Sequence, residues 1–212
     1  MRTILNTADA RAHDSFVEKK SEFIGDACHV DALADALAFV ESIREAHPKA
    51  RHVAYAAIVT DDSGRVMERM SDDGAPSGTA GKPIIDVLRA NDLTDCVVAV
   101  TRYFGGILLG SGGLTRAYST GASIAVKAAR LARIVPCRQF RVWLDYAQLG
   151  QFQQLLAQCE GEQTDARFTD RVEIVATIPQ ANCEAFENRV REAFNAGVVP
   201  DPLGQVARPM PE

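Results

Sequence analysis

The chain has 212 residues, 47% of them hydrophobic and 24% charged, with a formal net charge of −5. That length suits two compact units of roughly 100 residues each, and the ordinary globular balance, without low-complexity tracts, excludes a disordered chain. No window approaches the roughly 18 uninterrupted apolar residues of a membrane helix, and the acidic balance excludes a polycation, so any nucleic-acid surface must be local.

Met1 to Lys20 is polar and charged where a secretory signal would carry its apolar run, so a cytoplasmic location is expected. Extended segments are predicted near Ser15–Lys19 and Ser21–Val30, where Phe, Ile and Val recur among polar residues. A helix follows, capped by Asp31, with Leu33, Leu37, Val40 and Ile43 at helical spacing up to His47-Pro48. Val53–Thr60 alternates as a strand, Asp61-Asp62-Ser63-Gly64 is a turn, and Arg65–Met70 returns as its hairpin partner. Ser71–Gly78 is a loop by composition, after which Thr79 is placed to cap a helix through about Arg89. Val97–Val100 is a buried strand, Gly105–Gly113 a glycine-rich loop, and an Ala-rich helix opens at Ser111 or Gly112 and reaches about Ala132.

Arg133–Arg138, with Pro136, has the composition of a linker, which divides the chain into domains of residues 1–134 and 135–212. Beyond it the pattern predicts strand Phe140–Leu144, helix Gln148–Cys159, strands Glu162–Phe168 and Val172–Ile178, helix Asn182–Asn195 and strand Val198–Val206. That order, βαββαβ, is ferredoxin-like, and the fold class is α+β. The five cysteines, Cys28, Cys96, Cys137, Cys159 and Cys183, form no C-x-x-C pair and are expected to be reduced, buried thiols.

Charge is uneven. From Cys96 through Leu144 there is no Asp or Glu, while Arg102, Arg116, Lys127, Arg130, Arg133, Arg138 and Arg141 make a local basic field. The part after residue 135 is the more acidic.

Two glycine-rich runs are candidate sites. Pro76-Ser77-Gly78-Thr79-Ala80-Gly81-Lys82-Pro83 looks briefly like a phosphate loop, but Pro76 replaces its first glycine and Pro83 the metal-binding hydroxyl. The helix start beside Lys82 can still attract an anion through backbone N–H groups. The second run, Arg102 to Tyr118, ends a strand, loops through five glycines and starts a helix, with an arginine at each end suited to phosphate oxygens. It does not fit G-x-G-x-x-G, because Thr115 follows Gly110 and Gly112. Ser71, Ser77 or Ser111 with His52 and Asp72 or Asp73 would assemble a hydrolase triad only by chance pairing, since no G-x-S-x-G elbow is present. Tyr103, Phe104 and Tyr118 are placed either to stack bases or to pack the core.

The runs Ser71–Ile84 and Thr101–Ser119, with Lys19–Ile24 and His47–His52, closely resemble the signature of the IMPACT/YigZ family, a likeness covering nearly all of residues 15–130. The resemblance implies an N-terminal domain with the left-handed βαβ crossover shared by a small-subunit ribosomal protein, the fourth domain of elongation factor G and the GHMP kinases. The C-terminal half is similar to the small bacterial C-terminal domain of the family and to the fifth domain of that elongation factor. Eukaryotic relatives are regulators acting on the amino-acid-starvation kinase through its ribosome-associated activator. Two positions depart from the pattern: Val53-Ala54-Tyr55 stands where relatives often have a polar residue followed by Cys, and Ala75 where they commonly carry Glu.

The expected function is a non-enzymatic, RNA- or ribosome-associated regulator of translation or the stress response. Lys82, Arg102 and Arg116 would contact phosphates, with Tyr103, Gly105, Gly106, Gly110, Gly112, Gly113 and Tyr118 forming the rest of the surface. His52, Asp72, Asp73, Gly74, Ser77 and Thr79 would form a supporting loop. One alternative is an enzyme or sensor for a small phosphorylated ligand, with Asp72 or Asp73 holding Mg²⁺. The other is a protein-interaction module whose acidic C-terminal half holds a basic partner. No catalytic residue, resident cofactor or metal site is assigned, and a monomer without a membrane partner is expected.

Overall fold

The computed structural model describes residues 1–61 and 63–211. The chain forms two compact units, Met1–Arg133 and Ile134–Met210, each taken here on its own.

The first unit contains β1 (Arg2–Ile4), β2 (Ala12–Glu18), β3 (Ser21–His29), α1 (Leu33–Ala46), β4 (His52–Thr60), β5 (Val66–Ser71), α2 (Gly81–Ala90), β6 (Cys96–Tyr103), α3 (Gly110–Ala128) and the start of β7 (Leu131–Leu144). Its main sheet has the order β2-β3-β6-β4-β5 with every neighbouring pair antiparallel. Because β6 lies between them, β3 and β4 run parallel and α1 is their crossover. The apolar run Val97–Val100 explains why β6 takes the centre, where a strand is buried on both faces. Ala54, Ala56, Val98 and Val100 face α2 and α3, while Val53, Tyr55, Val97 and Ala99 face α1. Helix α3 comes unusually close to the sheet. A Cβ on Gly25 would lie 2.2 Å from the Gly121 carbonyl oxygen, and one on Gly121 would lie 2.7 Å from Val100 Cγ1.

Several boundaries differ from expectation. Strand β2 stops at Glu18 because Lys19 and Lys20 both take left-handed backbone angles, making a two-residue hairpin turn to Ser21. Asp31 does not cap α1; Ala32 holds that position, and Asp31 instead accepts a hydrogen bond from His29. Thr79 does not cap α2 either, since its hydroxyl donates to the Pro76 carbonyl at 2.6 Å. The predicted turn after β4 keeps its Asp61 contacts to Ser63 and Arg65, while Asp62 lies outside the described residues. Helix α3 ends at Ala128 rather than near Ala132, because Leu131–Arg133 pair with β1. The predicted linker Arg133–Arg138 is part of β7: Ile134 and Val135 favour extended backbone, and Pro136 is compatible with it.

The second unit contains the rest of β7, α4 (Leu149–Gln158), β8 (Glu162–Phe168), β9 (Val172–Pro179), α5 (Cys183–Ala193) and β10 (Asp201–Pro211). The sheet order β10-β7-β9-β8 is that of a ferredoxin-like fold. Phe140, Val142, Leu144, Ile174 and Ile178 from the strands pack against Phe152, Leu156, Phe186 and Val190 from the helices. Asp145 and Gln148 form a capping box that leads into α4. The last strand starts three residues later than expected. Asn195 and Ala196 turn left-handed after α5, and Val198 fills the core before the chain extends. All five cysteines are free and buried, and burial pushes the Cys28 thiol up to about 12. Among the described residues no helix is long and apolar enough to cross a membrane.

Candidate anion-binding site

Strand alternation places Arg102, at the end of β6, on the face covered by α2 and α3. Its side chain is 7% exposed. The guanidinium lies 5.6 Å from the centre of the Phe23 ring and 5.3 Å from that of Phe104, so two aromatic faces hold it. No carboxylate pairs with it among the described residues, and its Nε is buried without a hydrogen-bond partner. A buried charge is ordinarily paired, because the interior cannot replace lost hydration. Arg102 is the exception here.

Arg102 lines a pocket of about 600 Å³ together with Arg51, His52, Phe104, Leu108, Leu109 and residues at the start of α3. The lining is mainly apolar, contains three basic side chains and includes no acid. His52 lies directly opposite Arg102 in the β4–β6 register, and its Nδ1 is 2.7 Å from the Asp73 carbonyl. That contact makes Nδ1 the donor and leaves Nε2 as the other polar edge of the ring. Leu109 holds the N-cap position of α3 and supplies no side-chain cap, so Gly110, Ser111 and neighbouring N–H groups are left for another partner.

The five glycines of this loop separate into distinct roles. Gly106 and Gly110 take positive φ angles of 85° and 73°. A Cβ on Gly105 would lie 1.8 Å from the Lys20 carbonyl oxygen, and one on Gly113 would lie 2.9 Å from Leu109 Cβ. Gly112 has neither constraint, because a Cβ there meets nothing within 4 Å. Folding therefore accounts for four glycines and leaves Gly112 unexplained by turn or packing.

The Asp72–Lys82 run is engaged with itself. The Asp72 carboxylate accepts from the N–H groups of Gly78 (2.8 Å), Ala80 (3.0 Å) and Gly81 (2.8 Å), and so caps α2 from a distance. Burial raises the Asp72 carboxyl, but these three bonds outweigh it and hold the group below its ordinary value. Asp73 accepts from the Val53 N–H at 2.7 Å and from Arg44 at 2.6 Å. Lys82 is exposed and pairs with Asp86 at 2.5 Å. The α2 terminus is thus occupied by the protein's own carboxylate. Both aspartates are engaged in these bonds, and among the described residues no three His, Cys, Asp or Glu side chains converge as a metal site.

Of the other predicted residues, Tyr118 is fully buried and packs edge-on to Phe23. Burial drives its hydroxyl up to about 12, opposed by Arg102 and reinforced by Asp73 and Asp72. Its hydroxyl is a second buried polar atom without a partner. Tyr103 bonds His47 at 2.9 Å rather than facing the pocket. Arg116 is exposed on α3, and Ser77 and Thr79 stay in the α2 loop; none of these three lines the pocket. Lys127 lies about 16 Å along α3 from Arg116 at 1.5 Å rise per residue, and Arg130 follows the end of the helix. Within the first unit the basic residues of the acid-free window are therefore not one patch. Sequence reasoning missed Arg51, Pro76, Leu108, Leu109 and Leu114. Arg51 precedes His52 and its N–H donates to the Arg102 carbonyl at 2.8 Å, so strand pairing was the signal that could have found it.

Residues 19–126 match the Impact N-terminal domain, and residues 142–196 match a domain of unknown function, DUF1949. YigZ, an IMPACT family member of Escherichia coli, is 38% identical over 181 residues, 84% of this chain and 87% of its own. The Bacillus subtilis member YvyE is 31% identical over 200 residues, 92% of this chain and 88% of its own. A crystal structure described as that of a hypothetical protein superposes with a TM-score of 0.61 at 32% identity, covering 95% of this chain and 96% of that one. The chain belongs to the IMPACT family.

Proposed function

We propose that this IMPACT family member is a non-enzymatic regulator that engages ribosome-associated RNA by holding a phosphate between Arg102 and the start of α3. The observation that carries this reading is the buried Arg102, packed against two aromatic rings and with no carboxylate partner among the described residues. An anion entering the pocket would supply the missing counter-charge, and a phosphate oxygen can accept from both a guanidinium and helix N-terminal N–H groups. Phe104, 47% exposed at the rim, offers a ring face on which a base can stack.

Catalysis is left out of this reading. His52 and Ser111 both line the pocket, and among the described residues no hydrogen bond joins the histidine to a nucleophile. Co-sedimentation with ribosomes tests the proposal. The parent protein should pellet with them at moderate salt and Arg102→Met should stay in the supernatant; equal pelleting of both would remove the reading.

A further inference from the structure

We infer that the Arg102 pocket takes a terminal phosphomonoester on a nucleotide, rather than an internal phosphodiester of a continuous strand. The inference rests on the proposed phosphate reading and narrows its ligand.

Arg102 cannot swing out to meet a strand lying on the surface. It is 93% buried, with the Phe23 and Phe104 rings both against its guanidinium, so the anion has to come in. The pocket of about 600 Å³ falls within the roughly 300–1,000 Å³ typical of small-molecule sites, which is space for one nucleotide. An internal phosphate carries chain on both sides. Drawing it down to Arg102 would press its charged neighbours against Leu108, Leu109 and Leu114 without compensation. A chain end brings only one strand to the rim.

Charge favours the same ligand. Arg51 and Arg102 line the pocket with no acid among the described residues, and the α3 terminus adds roughly half a positive charge. A phosphomonoester carries about −1.5 to −2 at pH 7, whereas a diester carries a single negative charge. Gly112 supplies a further argument. Gly112 does not itself line the pocket but directly follows Ser111, which does, and helix Cβ atoms tilt towards the N-terminus, so a side chain here would lean back towards that lining residue. A bare Cα there leaves the approach to it open, although folding alone leaves the position unconstrained.

The chemistry is that of a nucleoside monophosphate group, whose source is an RNA end or a free nucleotide. Fluorescence anisotropy would compare one short single-stranded RNA carrying a 5′-phosphate, a 3′-phosphate or hydroxyls at both ends, with AMP as competitor. One phosphorylated end should bind at least about tenfold tighter than the hydroxyl-ended strand, a difference of about 1.4 kcal/mol. The preference should vanish in Arg102→Met and shrink several-fold in Gly112→Ala, where the added methyl meets open space and the fold is retained. Competition by AMP at the oligomer's own affinity would support the inference with a free nucleotide as source; much weaker competition would support it with an RNA end. Equal binding of all three oligomers, still weakened by Arg102→Met, would overturn the inference and leave the phosphate reading standing. No binding in any arm would overturn both.

Discussion

Arg102 and His52 face each other across the β4–β6 ladder, on the sheet face that α2 and α3 cover. Directly opposed side chains in an antiparallel pair lie about 4.5–5.5 Å apart at Cβ, and like charges in such a pair are unfavourable. The strands thus set a permanent cation beside an imidazole ring. On the proposed reading a bound anion would supply the counter-charge that Arg102 lacks, and that sets the expected behaviour of variants.

Arg102→Met should retain the apolar length of the side chain and remove an unpaired buried charge. We expect stability unchanged or raised by up to about 1 kcal/mol, with phosphate binding lost. Urea denaturation beside a binding assay checks both. A large loss of stability would mean that Arg102 holds the fold rather than a ligand.

Gly105 and Gly112 should respond oppositely to alanine. Gly105→Ala puts a methyl into the Lys20 carbonyl and should cost about 2–3 kcal/mol. Gly112→Ala should raise stability by about 0.5–1 kcal/mol, because alanine loses less backbone entropy in a helix, yet weaken phosphate binding. Thermal melts of the two variants give the first comparison and anisotropy the second.

Asp72 makes the acid limb of stability steeper. Its carboxyl is held below its ordinary value in the folded chain, so its contribution is fully present above the unfolded pKa of about 3.9 and is lost as pH falls through the lower folded value. Asp72→Asn should lower stability by about 1 kcal/mol at neutral pH, as loss of a helix cap does, and flatten the acid limb. Melting temperatures between neutral and acid pH would show whether the two curves converge.

Lys82 should be dispensable. Its exposed pair with Asp86 is of the i,i+4 kind that contributes about 0.3–0.5 kcal/mol. Lys82→Ala should bind RNA as the parent does, and a tenfold loss would return α2 to the binding surface.

Local patterns carried much of the fold. The alternation of Val53–Thr60 and the β-branched run Val97–Val100 identify strands whatever surrounds them, and strand β8 falls on Glu162–Phe168 as predicted. Features set by distant partners were not legible. Pro136 reads as a linker until β7 acquires its neighbours, and Thr79 reads as a cap until Asp72 reaches back to α2. At the site, the glycine run was visible as a group, but only the approach of Lys20 to Gly105 and the empty space at Gly112 separate folding from exposure. The acid-free window counted Arg116, Lys127 and Arg130 alongside Arg102. Helix α3 spreads the first three along its length and beyond, and burial singles out the fourth.

The salt dependence of RNA binding, measured for the parent and Arg102→Met, tests the central claim most directly. Each single-strand phosphate contact contributes a slope of about −0.7 in log affinity against log salt, so one or two contacts predict about −0.7 to −1.4. The account predicts that shallow slope for the parent and a loss of at least about tenfold for Arg102→Met at every salt concentration. A slope near −5, as about seven contacts across the whole basic window would give, or an Arg102→Met protein that binds like the parent, would contradict it.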